Sequence, residues 1–135
     1  MLGFGKYKNW LGVWLLLCGV PLGLIAQQDQ YEHLVGQIRT ASRMQEHVEA
    51  ITLGLDLVTY TTKSFTTSDQ HLPASFLVTG DAYSAAGRYA EAESWYRRAL
   101  AHHQRYHEPA DPALAAIYRS LASNYLASGQ PALSR

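Results

Sequence analysis

Two stretches of this chain can be laid over one another without a gap, and that overlap limits its fold more than any other feature. Gly80-Asp-Ala-Tyr83-Ser-Ala-Ala-Gly87 falls on Ala122-Ser-Asn-Tyr125-Leu-Ala-Ser-Gly129, pairing Tyr83 with Tyr125 and Gly87 with Gly129 at an offset of 42 residues. Asp69 and Asp111 stand at the same offset, each in a polar linker close to a proline. In a fainter first copy, Ala50 falls under Ala92 and Leu57 under Ala99. A repeat of this length is one supersecondary unit that cannot bury its apolar face alone, so its neighbours must stack.

The period inside the repeat is helical. Phe76, Tyr83 and Ala86 form one stripe; Tyr89, Ala92, Trp95, Tyr96, Ala99 and Leu100 form a second, three and four apart. Gly87 between them suits a helix end that turns through a left-handed backbone. The small residues Gly80, Ala92 and Ala99 would let two antiparallel helices approach, with Trp95 and Tyr96 filling the space beside them. Helices are therefore expected over about 28–43, 46–64, 73–86, 88–107 and 113–128, with Pro73 opening the third and Pro131 opening a sixth. The fold class is all-α: antiparallel helical hairpins stacked as a short solenoid. Buried as this packing requires, Trp95 would cost about 3–5 kcal/mol in a denaturant melt when replaced by Ala.

The N-terminus has a different character. Lys6 and Lys8 precede an uncharged stretch from Asn9 to Gln28, and Leu24-Ile25-Ala26 leads directly into Gln27-Gln28-Asp29. A basic start, an apolar centre and a small residue before a polar segment describe a signal peptide over 1–26, with 27–135 as the repeat region. An uncleaved membrane anchor is the alternative, at the short limit of the roughly 17–25 residues that span a bilayer. Cys18, the only cysteine, lies in this segment, so cleavage would leave no thiol for a disulfide, a nucleophile or a zinc site. Eleven basic and eleven acidic residues give no field that would draw nucleic acid.

Gly80, Tyr83, Gly87-Arg-Tyr89, Ala92, Trp95-Tyr96 and Ala99-Leu100 together resemble the tetratricopeptide repeat pattern. With the longer period and the following Pro109-Ala-Asp-Pro112, they look like the extended 42-residue kind typified by kinesin light chain. The resemblance is specific over 73–129 and faint over 28–72. It implies hairpins in a superhelix whose concave face binds peptides or protein surfaces. On that analogy the first helix of each hairpin lines the groove, which brings forward Leu77, Asp81, Ser84 and Ala85 in one copy and Arg119, Ser123, Leu126 and Ala127 in the next. Asp81 and Arg119 would orient a peptide by charge, with Leu77 and Leu126 in apolar contact. Gln45 and Gly54 stand where the pattern has a turn glycine and a bulky residue, predicting a distorted first hairpin. The third copy ends before a closing helix is complete, so Ile117, Leu121 and Tyr125 are expected to be exposed and to invite self-association.

No chemistry competes with binding. His103 and His107 are four apart and could meet a metal from one helical face, but no Glu lies between them as in metalloproteases; a helix C-terminus alone accounts for histidines there. There is no glycine-rich phosphate loop, nucleophile elbow or paired-carboxylate motif. Arg97, Arg98 and Arg105 lie among Glu91, Glu93 and Glu108, a solvated face rather than a nucleic-acid patch. No catalytic residue, cofactor or metal is therefore assigned. The expected function is an exported interaction scaffold, in a bacterial periplasm or outside the cell, that binds a protein or peptide and touches a membrane only if the N-terminal segment stays uncleaved. The alternative is the sensory or regulatory array of a longer protein with a protease-like or kinase-like signalling domain.

Overall fold

The computed structural model describes Gly19 and residues 22–129. Five helices follow one another among them: α1 (Leu22–Arg43), α2 (His47–Ser64), α3 (His71–Ala85), α4 (Tyr89–Tyr106) and α5 (Pro112–Ala127). Each packs antiparallel to the next, and no described helix is long and apolar enough to cross a membrane. The sixth helix expected from Pro131 and most of the 1–26 segment lie outside the described residues. Leu22 to Ala26 instead form the first turns of α1, which runs without a break across the expected cleavage point at Ala26.

The connections show why the helices start and stop where they do. After α3 the chain closes with Arg88 N–H donating to Tyr83 O at 2.9 Å and Gly87 N–H to Ser84 O at 3.0 Å, around a Gly87 φ of 77°. After α1 the same pair recurs 42 residues earlier, from Glu46 to Ala41 at 2.9 Å and from Gln45 to Ser42 at 3.2 Å. Gly129 repeats the positive φ after α5. Gln45 adopts φ 60°, so the first hairpin turns as the others do and is not distorted; the closing hydrogen bonds and the packing behind them outweigh the roughly 1–2 kcal/mol that a side chain costs there.

Helix starts repeat as well. Asp69 Oδ1 accepts from His71 N–H at 2.8 Å, and Asp111 Oδ1 accepts from Ala113 N–H at 2.9 Å. These carboxylates satisfy amides that have no partner inside the helix. Because Asp69 does this work, α3 begins at His71 and not at Pro73. The proline still lies in the first turn, where its missing N–H is not needed.

Within the hairpin of α3 and α4, Ala92, Tyr96 and Ala99 turn one face of α4 onto Ala82 and Tyr83. Tyr96 is the buried ring, while Trp95 is only half-buried. Its indole lies 5.9 Å from Phe76 and 6.5 Å from Tyr83, with the Arg98 guanidinium over its outer face at 4.7 Å. Its truncation therefore falls short of the full-burial cost given above. Hairpins join through small residues: a Cβ on Gly54 of α2 would come within 3.1 Å of Thr79 Oγ1 and 3.3 Å of Thr79 Cα on α3. The Thr79 hydroxyl lies 3.0 Å from Gly54 O, so the absence of a side chain at 54 is what lets α2 and α3 meet.

Ile117 and Leu121 are buried, against the expectation of an open end, because the face of α5 that carries them packs on α4 and α3. Tyr125 is half-buried; its hydroxyl donates to Glu93 Oε1 at 2.6 Å and accepts from Arg97 Nη2 at 3.0 Å. Tyr118 and Leu126 are the large exposed residues of α5.

Among the described glycines the closest fit is at Gly80, where a Cβ would stand 2.6 Å from Tyr96 Cε1. Gly80→Ala is expected to lower stability by about 1–2 kcal/mol, the overpacking penalty outweighing the better helix propensity of alanine. Gly36→Ala in α1, where a Cβ meets nothing within 4 Å, is expected to raise stability by about 0.5–1 kcal/mol. Urea melts of the two variants check this, and a stabilised Gly80→Ala would contradict the packing.

Candidate concave binding face

The helices are not equally spaced around the stack. α3 touches both α1 and α5, whereas α2 and α4 make no comparable contact. The odd-numbered helices therefore form the set in mutual contact along one side of the stack. Leu77, Asp81, Ser84 and Ala85 lie on α3, and Arg119, Ser123, Leu126 and Ala127 on α5. Ala85, Arg119, Ser123, Leu126 and Ala127 are exposed, Leu126 at 76%. Leu77 and Ser84 are half-buried. Asp81 and Arg119 do not pair; among the described residues no ion pair joins them.

Asp81 has other partners. Its Oδ1 accepts the Tyr96 hydroxyl at 2.7 Å, and Ser120 of α5 lies beside its carboxyl. Ser84 lies beside the Tyr96 hydroxyl. The buried ring of α4 thus reaches through the hairpin and ends among polar groups of α3 and α5. Asp81 is exposed as a residue, but packing around its carboxyl pushes it above its ordinary value, and the bond from Tyr96 offsets only part of this. The Tyr96 phenol is also pushed up, first by burial and then by the Asp81 charge.

The histidines at the end of α4 do not cap carbonyls of their own helix. His102 Nε2 reaches the α2–α3 linker and donates to Thr67 O at 2.5 Å, and His103 is 2% exposed. His103 and His107 instead border a cavity of about 90 Å³ between the starts of α3 and α5, walled mainly by Pro73, Ala74, Leu77, Ala113, Ala116 and Ile117. Among the described residues no three His, Cys, Asp or Glu side chains converge as a metal would require. Sequence reasoning found the histidines and Leu77 but not the cavity. Its signal was available in the small residues Pro73 and Ala113, which stand 42 residues after the larger Tyr31 and His71.

A carboxyl whose pKa is raised on folding holds its proton more tightly in the folded chain. Stability then declines as pH rises from the unfolded value, near 3.8, through the folded one, and is flat above. Asp81→Asn keeps an acceptor for Tyr96 and removes that decline, so it should raise the melting temperature at pH 7 and flatten the profile just above pH 3.8. Thermal melts across that range check this. An unchanged profile would mean that the carboxyl is not crowded.

Residues 77–135, which hold most of α3 and all of α4 and α5, match the family model described as tetratricopeptide repeat. No curated protein and no solved structure matches the chain. Repeats of this family generally mediate protein–protein interaction. The match covers less than half of the chain, and over it the stacked hairpins agree with a tetratricopeptide repeat.

Proposed function

We propose that this chain is an exported, non-catalytic scaffold that holds an extended peptide or protein segment along the face formed by α1, α3 and α5. The observation that carries the reading is the mutual contact of these three helices, which supports taking their side as the concave one. On that side Asp81 and Arg119 present opposite charges without neutralising one another, and Leu77 and Leu126 offer apolar surface. The repeats are of the extended kind that resembles kinesin light chain, a reading supported by turns and helix starts that recur 42 residues apart. Export to a periplasm or beyond the cell is supported by Lys6, Lys8, the uncharged stretch behind them and Ala26. Balanced charge favours protein over nucleic acid as the partner. Self-association through α5 is supported by exposed Tyr118 and Leu126 rather than by the buried Ile117 and Leu121.

Panning phage-displayed random peptides on the exported chain tests the binding role. Selected peptides should lose at least about tenfold in affinity, about 1.4 kcal/mol, with Leu77→Glu combined with Leu126→Glu. Glu91→Lys on α4, the opposite side of the hairpin, should leave them unaffected. Failure to select any peptide, or equal loss from Glu91→Lys, would contradict the concave-face reading. N-terminal sequencing tests export separately. Cleavage predicts Gln27 as the first residue, while a membrane-bound chain still headed by Met1 would mean an anchor.

A further inference from the structure

The two places where one hairpin meets the next are built from matched positions but filled differently. Where α3 packs on the first hairpin, three rings of the chain occupy the space. Tyr31 stands edge-on to Phe65 at 6.2 Å and to His71 at 4.6 Å, and Phe65 and His71 stack at 4.4 Å. Forty-two residues on, where α5 packs on the second hairpin, Pro73 stands for Tyr31, His107 for Phe65 and Ala113 for His71. The ring volume lost in those exchanges corresponds to the cavity of about 90 Å³. The capping aspartates match: Asp69 faces the His71 imidazole at 2.6 Å, whereas Asp111 has alanine two residues on.

The end of this cavity is polar. His103 is 2% exposed, yet its Nε2 has no hydrogen-bond partner; Asp111 Oδ2, the acid nearest to it, stands 3.4 Å away. His107 Nε2 is buried and unpartnered too. The carboxylate favours the His103 tautomer with its proton on Nε2; the two stand within ion-pair distance but are not aligned to hydrogen-bond each other. A hydroxyl lying beside the pair can accept from the imidazole and donate to the carboxylate. The walls ahead of that pair are apolar. The volume is several times the roughly 10–15 Å³ that a water needs and short of the roughly 150 Å³ that encloses a benzene. It is well below the roughly 300 Å³ at which pockets for whole small molecules begin. Because the cavity is open on one side, a ring can enter in part, hydroxyl first.

From these matched junctions we infer that the cavity between α3, α4 and α5 is a socket for a tyrosine side chain of the bound segment, replacing from outside the ring that Tyr31 supplies in the preceding junction. The inference rests on the concave-face reading, since Leu77 belongs to both the groove and the socket wall. Phenylalanine fills the walls but leaves His103 Nε2 unpaired. Phosphotyrosine brings negative charge against Asp111. Both are rejected.

The test uses the same displayed peptide library on the whole chain and on two variants that close the socket. One is Pro73→Tyr with Ala113→His, which copies the first junction; the other is Ala116→Leu, which retains the native helix starts should the first variant fail to fold. Circular dichroism verifies folding of each. The wild-type chain should select tyrosine over phenylalanine by about tenfold or more at one peptide position, and a folded variant should lose that preference while other positions keep theirs. Peptides selected without a tyrosine preference, or with the same preference in a closed variant, would overturn the socket and leave the groove standing. Selection of no peptides at all would overturn both.

Discussion

The structure depends on one ring set against one missing side chain. Tyr96 lies where a Cβ on Gly80 would be, and its hydroxyl is fixed by Asp81 on the same helix that carries the glycine. That contact sets how near α3 and α4 can come. It also fixes their register, because a shift of one residue along α3 would drive the ring into Thr79 or Asp81. With α3 and α4 held, Ala92 and Ala99 close the hairpin on either side, and α5 docks through Ile117 and Leu121.

The joints between hairpins rest on a different solution. Gly54 and Thr79 meet without an aromatic, and the buried hydroxyls of Thr61 and Ser75 lie 3.0 Å apart beside them. Small polar residues allow close backbone approach while satisfying their own hydroxyls from nearby carbonyls, so little is lost by burying them. At the next joint Asn124 donates from Nδ2 to Tyr89 O at 2.9 Å, while its Oδ1 is buried without a partner. This arrangement draws α3 against both α1 and α5.

Most of the helices were legible in the sequence because their signals are local. The stripe at Ala92, Tyr96 and Ala99, and the glycine at 87, place α4 and its preceding turn to within a residue or two. The turn at Gln45 was less legible, since a non-glycine residue there adopts its φ only because the flanking helices pack. Ile117 and Leu121 read as outward in the sequence because the incomplete third copy lacks a closing helix, whereas α4 and α3 already cover them. Trp95 and Tyr96 are adjacent and alike in sequence. Only the position of Gly80 across the hairpin decides which ring is buried. The candidate groove positions fall on α3 and α5 as the resemblance implies, whereas the cavity below Leu77 arises from small residues on two helices and leaves no local mark.

The contact between Gly80 and Tyr96 is tested most directly by a double-mutant cycle that combines Gly80→Ala with Tyr96→Leu and follows urea unfolding. Leucine leaves room for the added methyl, so Gly80→Ala should become neutral or stabilising in that background, giving a coupling energy of about 1–2 kcal/mol. Additive costs, within about 0.5 kcal/mol, would mean that ring and glycine do not meet as described and that something else sets the hairpin.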